Sequence, residues 1–420
     1  MKWAAAAPLF GTIAAQTFAG KLAAAATGKS ATDEVYRRIG VRPFINARGT
    51  WTYLSGSLEL PEVRQAMDDA SHHFVDMFEL QQAVGKRLAE LSGAQAGMVT
   101  SGAAGAMAAA TAGCMAGTDP AKIWQLPDTT GMKSQVIMLG GRSAFDSAIR
   151  LAGAKLKLVH GVDALASAIT ENTAMIYTTA LGDTLKAALQ IAKRASVPLM
   201  LDDAAGIPPI ENLKLYANLG IDLFCFSGGK GLRGPQCSGI LLGRKDLIEA
   251  SLRQCSPWEG SVCRSMKVGK EEIIGVLTAI ESWHKIDLGE LNKEWSRRVE
   301  RIAKLVETVP GVTTQTFVPT DGNRYPTLTV KWDETKWLFS VEDCDKALRA
   351  GEPRIEVLTA SNPSLVTAVQ EGWQGGRKIE SQPKREANQL QIVSMTLKEG
   401  DDLIIGRRLR DILNSARKGA

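Results

Sequence analysis

A lysine and an aspartate, each following an apolar strand-like segment, are the residues of this chain best suited to chemistry. Lys230 follows the apolar segment 222–226 and lies within Ser-Gly-Gly-Lys-Gly, residues 227–231. A lysine amine surrounded by tight glycine-rich backbone and apolar strands is easily kept neutral and nucleophilic, as Schiff-base chemistry requires. Asp202 ends a second apolar segment, 199–201. Because a carboxylate at a strand end can keep a pyridine nitrogen protonated, the pair indicates pyridoxal phosphate as cofactor.

Two competing interpretations of these residues are less consistent with the sequence. Lys230 does not belong to a P-loop, because Gly231 follows it where that motif needs serine or threonine. Asp203 competes with Asp202 for the pyridine nitrogen. Since side chains alternate along a strand, Asp202 and Ala204 share one face and Asp203 takes the other. The small Ala204 leaves room for a cofactor ring beside Asp202, whereas Asp203 is better placed to cap the following turn.

A turn of small residues supplies a candidate phosphate site. Thr-Ser-Gly-Ala, residues 100–103, follows a short strand and begins an Ala-rich helix. Such a turn exposes backbone N–H groups at the positive end of a helix dipole, which suits a phosphate. It lacks the GxGxxG pattern of a dinucleotide site. We therefore expect Ser101, Gly102 and Ala103 to bind the cofactor phosphate, with the Ser227 hydroxyl as a further donor.

Composition limits the class of protein. The chain has 420 residues, of which 45% are hydrophobic and 23% charged, enough for one large domain and a smaller one. The net charge of +5 is spread along the chain without a long basic run, so a nucleic-acid partner is not expected. The six cysteines form no CxxC pair and the four histidines no HExxH motif, so no metal site is expected.

The order of apolar segments predicts the elements that position these residues. Short apolar runs alternate with helical patterns, which indicates a mostly parallel, seven-stranded α/β sheet covered on both faces. We expect residues 32–305 to form an N-terminal arm and this large domain. Residues 306–420 read as strand, strand, helix, strand, strand, helix, a smaller C-terminal α+β domain. The seven predicted strands are 97–100, 135–139, 155–159, 174–178, 198–201, 223–226 and 239–242.

The N-terminal residues 1–31 have a different composition. They are Ala-rich and apolar, interrupted by Lys21, and small residues lie near a possible cleavage site at 24–26. This pattern resembles the apolar part of an export signal. It is too weakly hydrophobic for a membrane-spanning helix, so we expect no membrane span in the mature protein. Export to the periplasm and a cytoplasmic location both remain open.

The order of phosphate turn, aspartate and lysine resembles that of the fold-type-I pyridoxal-phosphate enzymes. Several segments are similar to the selenocysteine synthase-like family, which includes bacterial seryl-tRNA selenium transferase and D-glucosaminate-6-phosphate ammonia-lyase. The resemblance covers roughly residues 32 to 417. The segments that carry it are Ile-Asn-Ala-Arg-Gly-Thr at 45–50, residues 100–103, Asp-Asp-Ala-Ala-Gly-Ile-Pro-Pro at 202–209, residues 227–231 and Met-Lys-Val-Gly-Lys-Glu-Glu at 266–272.

The resemblance implies roles for further residues. Lys230 would form the internal aldimine and then act as general base at the substrate Cα, and Asp202 would stabilise the pyridinium of a quinonoid. An amino-acid substrate needs its carboxylate bound, which an arginine fork does well. The enzyme would be a homodimer or higher homo-oligomer with groups from both subunits at the site. Candidate substrate-binding cations are Arg48, Arg142, Arg264, Lys267 and Arg354, each of which could instead form a surface ion pair.

The family favours α,β-elimination from a small amino acid or amino-sugar acid, of the ammonia-lyase or dehydratase type. Relatives tend to carry a histidine–arginine and a tyrosine–aspartate pair where this chain has Gly141 and Phe145, which leaves racemase, aldolase and aminotransferase chemistry open. A selenium transferase-like activity is a further alternative, although the short, Ala-rich segment before the core argues against tRNA as substrate. A non-catalytic binding protein is the last, although retention of Lys230 and Asp202 weighs against it.

Overall fold

The computed structural model describes residues 34–143, 145–320, 324–359 and 388–419. The Ala-rich N-terminal segment with the possible export signal, residues 1–31, lies outside the described residues. Within the described ranges, no helix is long and apolar enough to cross a membrane. The same residues contain no group of three or more histidine, cysteine, aspartate or glutamate side chains arranged to hold a metal ion.

A seven-stranded sheet forms the centre of the chain, in the order β2-β8-β7-β6-β5-β3-β4. Only β8 runs antiparallel to its neighbours; the other strands are parallel to one another. The predicted seven-stranded, mostly parallel α/β sheet is therefore confirmed. The strands are β2 (Ala96–Thr100), β3 (Gln135–Leu139), β4 (Lys155–Val159), β5 (Thr173–Thr178), β6 (Leu199–Asp202), β7 (Leu223–Ser227) and β8 (Gly239–Gly243).

Apolar cores cover both faces of this sheet. Phe224 and Phe226 of β7 pack into one core, while Leu223 and Cys225 of the same strand pack into the other. Because successive side chains point to opposite faces, a strand buried on both sides is mostly apolar. All six residues of β5 are buried, with polar Thr173 and Thr178 only at its ends. The Ala-rich helix Gly102–Ala116 lies in the second core and is almost entirely buried.

The C-terminal strands form two smaller sheets. Strands β9 (Thr313–Phe317), β10 (Thr327–Lys331) and β12 (Leu390–Val393) pair antiparallel in the order β12-β10-β9. Strand β1 (Phe44–Ala47) pairs in parallel with β11 (Arg354–Val357). The buried side chains of β1 share a third core with these strands and with the end of the helix Leu288–Val306. A segment of the arm thus packs with the C-terminal elements, and the boundary at 305/306 stays a prediction.

The helices follow the predicted alternation with the strands. The helix Met77–Ser92 begins at Asp76, whose side chain accepts hydrogen bonds from the N–H groups of Phe78 and Glu79. The helices are α1 (Glu34–Arg37), α2 (Pro61–Ser71), α3 (Met77–Ser92), α4 (Gly102–Ala116), α5 (Pro120–Gln125), α6 (Asp146–Leu151), α7 (Leu165–Ala168), α8 (Gly182–Ala195), α9 (Asn212–Leu219), α10 (Lys245–Leu252), α11 (Lys270–Trp283), α12 (Leu288–Val306), α13 (Glu334–Trp337), α14 (Val341–Ala350) and α15 (Asp401–Gly419).

Candidate active site

The predicted lysine and aspartate follow adjacent strands at the same edge of the sheet. Strands β6 and β7 are parallel, and Asp202 pairs in register with Cys225. Strand β7 continues to Ser227, after which the chain turns and presents Lys230. The carboxyl ends of neighbouring parallel strands form the crevice in which open α/β sheets bind ligands. The structure therefore brings Lys230 and Asp202 to the position where such a ligand would lie.

Asp202 is held by three neighbours. Tyr177 Oη donates a hydrogen bond to Oδ2 at 2.8 Å, and the Ala204 N–H donates to Oδ1 at 3.1 Å. The Cys225 thiol lies 3.6 Å from Oδ1. Burial, followed by the charge of Asp202, raises the pKa of Tyr177, so the phenol stays protonated as a donor. The carboxylate is only partly buried and is oriented by protein groups before any ligand arrives.

Tyr177 was not identified from the sequence. It lies on β5 and pairs in register with Met200 of β6. Its hydroxyl reaches Asp202 only because the two parallel strands are adjacent. An aromatic residue one position before the end of a buried strand was the only sequence feature that marked it.

Asp203 has separate partners and is the more buried carboxylate, at 8% exposure. Tyr216 Oη donates to Asp203 Oδ2 at 2.5 Å. A Cβ at Gly206 would lie 1.8 Å from the same oxygen, so the carboxylate packs directly on that glycine. Burial raises the pKa of Asp203, and the Tyr216 hydrogen bond and the Arg324 charge oppose this effect. The adjacent aspartates therefore differ: Asp202 is partly exposed, whereas Asp203 is buried and hydrogen-bonded to Tyr216.

Close packing explains the glycines around Lys230. A Cβ at Gly228 would lie 1.9 Å from Ser238 Oγ, and one at Gly229 would lie 2.8 Å from the Cα of Gln236. A Cβ at Gly231 would lie 2.4 Å from the carbonyl oxygen of Ile207. Backbone or buried side chains touch all three glycines, so residues with side chains cannot replace them without displacement. The turn that carries Lys230 is consequently packed tightly against its surroundings.

An aromatic ring faces the amine of this lysine. Lys230 Nζ lies 5.8 Å from the centroid of the Phe145 ring, and Phe145 is 53% exposed. Phe145 lies in the segment after β3 where the sequence departs from the family pattern. A flat apolar side chain thus borders the space next to the amine.

Gly239 lies between the predicted phosphate turn and Ser227 and pairs with both segments. Gly239, the first residue of β8, pairs with Thr100 on one side and with Ser227 on the other. A Cβ at Gly239 would lie 2.5 Å from the carbonyl carbon of Gly102. A Cβ at Gly102, by contrast, would meet no atom within 4 Å, so this side of the turn is open. The first amides of α4, which have no acceptor within the helix, lie at the same sheet edge.

Gly239 was also missed by sequence reasoning. It brings the turn at 101–103 and Ser227 to neighbouring positions, because a larger residue would push the two segments apart. A glycine that opens an apolar strand next to the lysine turn was the available signal.

Arg142 and Arg48, two of the candidate substrate-binding residues, have protein partners. Arg142 pairs with Asp146 through its Nε, and its Nη2 donates to Asp146 Oδ1 at 3.1 Å. Arg48 is fully buried, with Nη1 3.7 Å from Glu356 Oε2 and its guanidinium 5.6 Å from the Tyr53 ring centroid. Among the described residues, none of its three guanidinium nitrogens has a hydrogen-bond partner. Burial lowers the pKa of Arg48.

The other three candidate cations lie in different surroundings. Arg354 donates from Nε to Glu356 at 2.8 Å and lies 5.4 Å from the Phe44 ring centroid. Arg264 is partly buried and Lys267 is exposed, in the segment before α11. Among the hydrogen bonds and ion pairs of the described ranges, none joins these three residues to Asp202. Their assignment to substrate stays a prediction.

Solved structures define the class of protein. The structure of a D-glucosaminate-6-phosphate ammonia-lyase matches with a TM-score of 0.72 and 26% identity, over 91% of this chain and 98% of that one. A cysteine desulfurase from Thermococcus onnurineus NA1 matches with a TM-score of 0.54 and 14% identity, over 90% and 95% of the two chains, a likeness of fold alone. The chain therefore has the fold of the fold-type-I pyridoxal-phosphate enzymes.

Curated relatives narrow this class to a family. D-glucosaminate-6-phosphate ammonia lyase of Salmonella typhimurium is 29% identical over 338 residues, 76% of this chain and 88% of the relative. The 5'-C-glycyluridine monooxygenase-decarboxylase of a Streptomyces species is 31% identical over 339 residues, 76% and 83% of the two chains. The L-seryl-tRNA(Sec) selenium transferase of Moorella thermoacetica is 23% identical over 323 residues, 65% of each chain. No family model matches the chain.

The chain belongs to the selenocysteine synthase-like family of pyridoxal-phosphate-dependent enzymes. The family predicted from the sequence is confirmed.

Proposed function

We propose that this protein is a pyridoxal-phosphate-dependent lyase that removes a β-substituent, and then ammonia, from a small amino acid or amino-sugar acid. The observation that carries the proposal is the meeting of Lys230 and Asp202 at adjacent parallel strand ends, with Asp202 oriented by Tyr177. The likeness to D-glucosaminate-6-phosphate ammonia lyase over most of both chains supports elimination as the type of reaction.

The residues present fit the cofactor. A flat pyridine ring needs an acidic partner at one end, space for its faces and donors for its phosphate. Asp202 supplies the first, and the Phe145 ring provides a flat apolar surface beside the Lys230 amine. Gly102 is open where the amides of α4 begin, and Gly239 brings Ser227 next to that turn. Asp202, Lys230, Ser227 and the turn at 101–103 would therefore hold the cofactor.

When bound, pyridoxal phosphate would withdraw electrons from the bonds at the substrate Cα. The task of the chain is to orient groups and move protons. Lys230, freed by the substrate amine, would take the proton from Cα and return it to the departing β-substituent, a division of labour typical of general acid–base catalysis. Tyr177 holds the Asp202 carboxylate in a fixed orientation. Hydrolysis of the remaining enamine then yields ammonia and a keto acid.

A second candidate reaction is oxidative decarboxylation of an amino acid. It is favoured by the 31% identity to the monooxygenase-decarboxylase over 83% of that relative. Both reactions need a basic amine and an electron-withdrawing cofactor in the same place. They differ in products: elimination releases ammonia and a keto acid without using oxygen, whereas the second reaction consumes oxygen and releases carbon dioxide.

Cofactor uptake is the first experiment. The wild type, Lys230→Ala and the control Lys186→Ala would be mixed with pyridoxal phosphate, reduced with borohydride and digested for mass spectrometry. Lys186 is an exposed lysine paired only with Asp183 among its described contacts. We expect the reduced cofactor on the Lys230 peptide of the wild type and of Lys186→Ala, and none on Lys230→Ala. A protein that never takes up the cofactor would refute the proposal.

Substrate class is then tested with a panel of D- and L-hydroxyamino acids and amino-sugar acids. Ammonia and keto acid would be measured together with oxygen consumption and carbon dioxide release. Release of ammonia with a keto acid from one of them, without oxygen consumption, supports the lyase. Oxygen consumption with carbon dioxide supports the second candidate, and change of configuration alone would point to a racemase.

We also propose that the protein is a homo-oligomer. An exposed apolar patch surrounds the contact of Phe78 with Trp258, whose rings meet edge to face at 5.2 Å. Phe74 is fully exposed, and Trp124, 75% exposed, packs against Gly260 two residues from Trp258. A patch of this kind is typical of an interface. Light scattering should give at least a dimer mass, and Phe78→Glu should lower it; a monomeric wild type would contradict this proposal.

A further inference from the structure

The buried hydroxyl of Tyr325 has no hydrogen-bond partner among the described residues. Tyr325 lies two residues before β10 and is only 1% exposed. Its ring packs edge to face on Trp295, with the centroids 5.2 Å apart. A buried unpartnered hydroxyl costs folding free energy that a phenylalanine would avoid. Packing alone therefore does not explain a tyrosine at this position.

The Tyr325 hydroxyl lies against the lysine turn. A Cβ at Gly231 would be only 1.8 Å from Tyr325 Oη, so the hydroxyl rests on the residue that follows Lys230. The same glycine contacts the Ile207 carbonyl and Pro208, which belong to the segment that follows Asp202. Tyr325 thus packs where the lysine turn meets the segment that follows Asp202.

The charge of Arg324 acts on the segment that follows Asp202. Burial raises the pKa of Asp203 and that of Tyr216, whose hydroxyl donates to Asp203 at 2.5 Å, and the charge of Arg324 opposes both shifts. Arg324 Nε is buried and, like Tyr325 Oη, has no hydrogen-bond partner among the described residues. Tyr216 also stacks on Phe226 of β7, with ring centroids 5.9 Å apart and an interplanar angle of 12°. The residues just before β10 therefore lie near the ends of β6 and β7: Tyr325 packs on the lysine turn, and the Arg324 charge acts on Asp203 and Tyr216.

We propose that Arg324 and Tyr325 are positioning residues that hold the neighbours of both candidate catalytic residues, Asp203 beside Asp202 and Gly231 beside Lys230. This inference rests on the proposed function for the roles of Lys230 and Asp202. The two adjacent residues lead into the C-terminal strands, so the docking of those strands sets the relative position of the amine and the carboxylate. Neither residue touches the reacting atoms in this role.

The test uses a readout that does not require the cofactor. Apoprotein would be labelled by reductive methylation with formaldehyde and a borohydride, and the rate at Lys230 compared with that at the exposed Lys186 by mass spectrometry. The variants are Tyr325→Phe, Arg324→Met and the conservative Arg324→Lys, with Tyr36→Phe as an exposed control. Melting temperature and the dissociation constant of pyridoxal phosphate would be measured on each.

Loss of one hydrogen-bonding or packing group changes such a rate by about 2- to 10-fold. We expect Tyr325→Phe to raise the Lys230-to-Lys186 labelling ratio by that factor while its melting temperature stays at or above that of the wild type. Arg324→Met should raise the ratio and weaken cofactor binding by about tenfold, and Arg324→Lys should fall between Arg324→Met and the wild type. The Tyr36→Phe control should leave all three measurements unchanged.

Two results would overturn the proposal. One is an unchanged labelling ratio in both Tyr325→Phe and Arg324→Met. The other is a general fall in melting temperature with faster labelling of every lysine, which would show a merely structural role. A wild type that does not bind the cofactor would refute the proposed function, but the labelling ratio would still decide whether Arg324 and Tyr325 position Lys230.

Discussion

Replacing Gly228 by alanine should destabilise the protein through one identifiable contact. The new Cβ would lie 1.9 Å from Ser238 Oγ and 3.0 Å from the carbonyl oxygens of Pro235 and Ser238. Ser238 is fully buried, and its hydroxyl donates to the Pro235 carbonyl at 2.7 Å. The side chain must turn away to make room, so the buried hydroxyl loses its acceptor. The two carbonyls move little, because the Gly228 and Ser238 N–H groups donate to them.

The expected cost combines these effects. Overpacking a rigid site costs about 1–3 kcal/mol, and a buried hydroxyl without its acceptor costs about 1–3 kcal/mol. We therefore expect Gly228→Ala to lose about 2–6 kcal/mol of unfolding free energy. For a chain of this length the unfolding entropy is about 0.9 kcal/mol/K, so the melting temperature should fall by about 2–7 °C.

A double variant identifies the cause. Ser238→Ala removes the 1.9 Å contact and leaves the two 3.0 Å contacts, so Gly228→Ala/Ser238→Ala should recover about half of the loss. Gly141→Ala is the matched control, since a Cβ there meets nothing within 4 Å and its φ lies outside the left-handed region. Scanning calorimetry of these proteins and of Ser238→Ala alone completes the cycle. A Gly228→Ala protein as stable as the wild type, or no recovery in the double variant, would refute the reasoning.

Three further substitutions test the carboxylates and the buried arginine. Tyr177→Phe removes a hydrogen bond to the Asp202 carboxylate, so titration should show cofactor affinity reduced by about tenfold or more, and an unchanged affinity would contradict this role. Burial raises the Asp203 pKa, so its stabilising effect is present below about pH 4 and is lost as pH rises through the folded-state pKa. The melting temperature of Asp203→Asn should accordingly rise relative to that of the wild type between pH 3.5 and pH 7. A difference that stays constant over this range would contradict the prediction. Arg48→Met removes a buried guanidinium and leaves Glu356 paired with two other arginines, so the melting temperature should stay equal or rise by the equivalent of about 1–4 kcal/mol; a lower value would show that Arg48 stabilises the fold.

Local patterns were sufficient for the large sheet and for its strand ends. Most of the seven strands are continuous apolar runs, and helical patterns separate most of them; the edge strand β4, with Lys155 and Lys157, is the exception. A strand buried on both faces leaves such an apolar run in any sequence. The residues following β6 and β7 could therefore be placed at one edge before the structure was known. The pairing of β1 with β11 could not, because it joins residues more than three hundred positions apart and each strand has only four residues.

The features of the candidate site that the sequence did not predict all depend on contacts between separate segments of the chain. Tyr177 reaches Asp202 from the neighbouring strand β5, and neither strand's own sequence predicts the register in which β5 and β6 pair. Gly239 matters because it pairs with Thr100 and with Ser227 simultaneously. For Arg48 the sequence left open a substrate cation or a surface ion pair. The structure shows a fully buried guanidinium beside Glu356, a possibility that only long-range packing reveals.

The two adjacent aspartates show how the fold separates groups that are equivalent in the sequence. Both follow the same apolar strand, but Asp202 remains partly exposed and accepts from Tyr177, while Asp203 is buried against Tyr216 and Gly206. A carboxylate that must stay charged next to a cofactor needs solvent or donors, and one that joins two segments needs rigidity. Because neighbouring strand residues face opposite ways, one dipeptide can meet both needs. Removing the Tyr216 hydroxyl in Tyr216→Phe should therefore affect Asp203 and the stability of the protein more than it affects cofactor binding at Asp202.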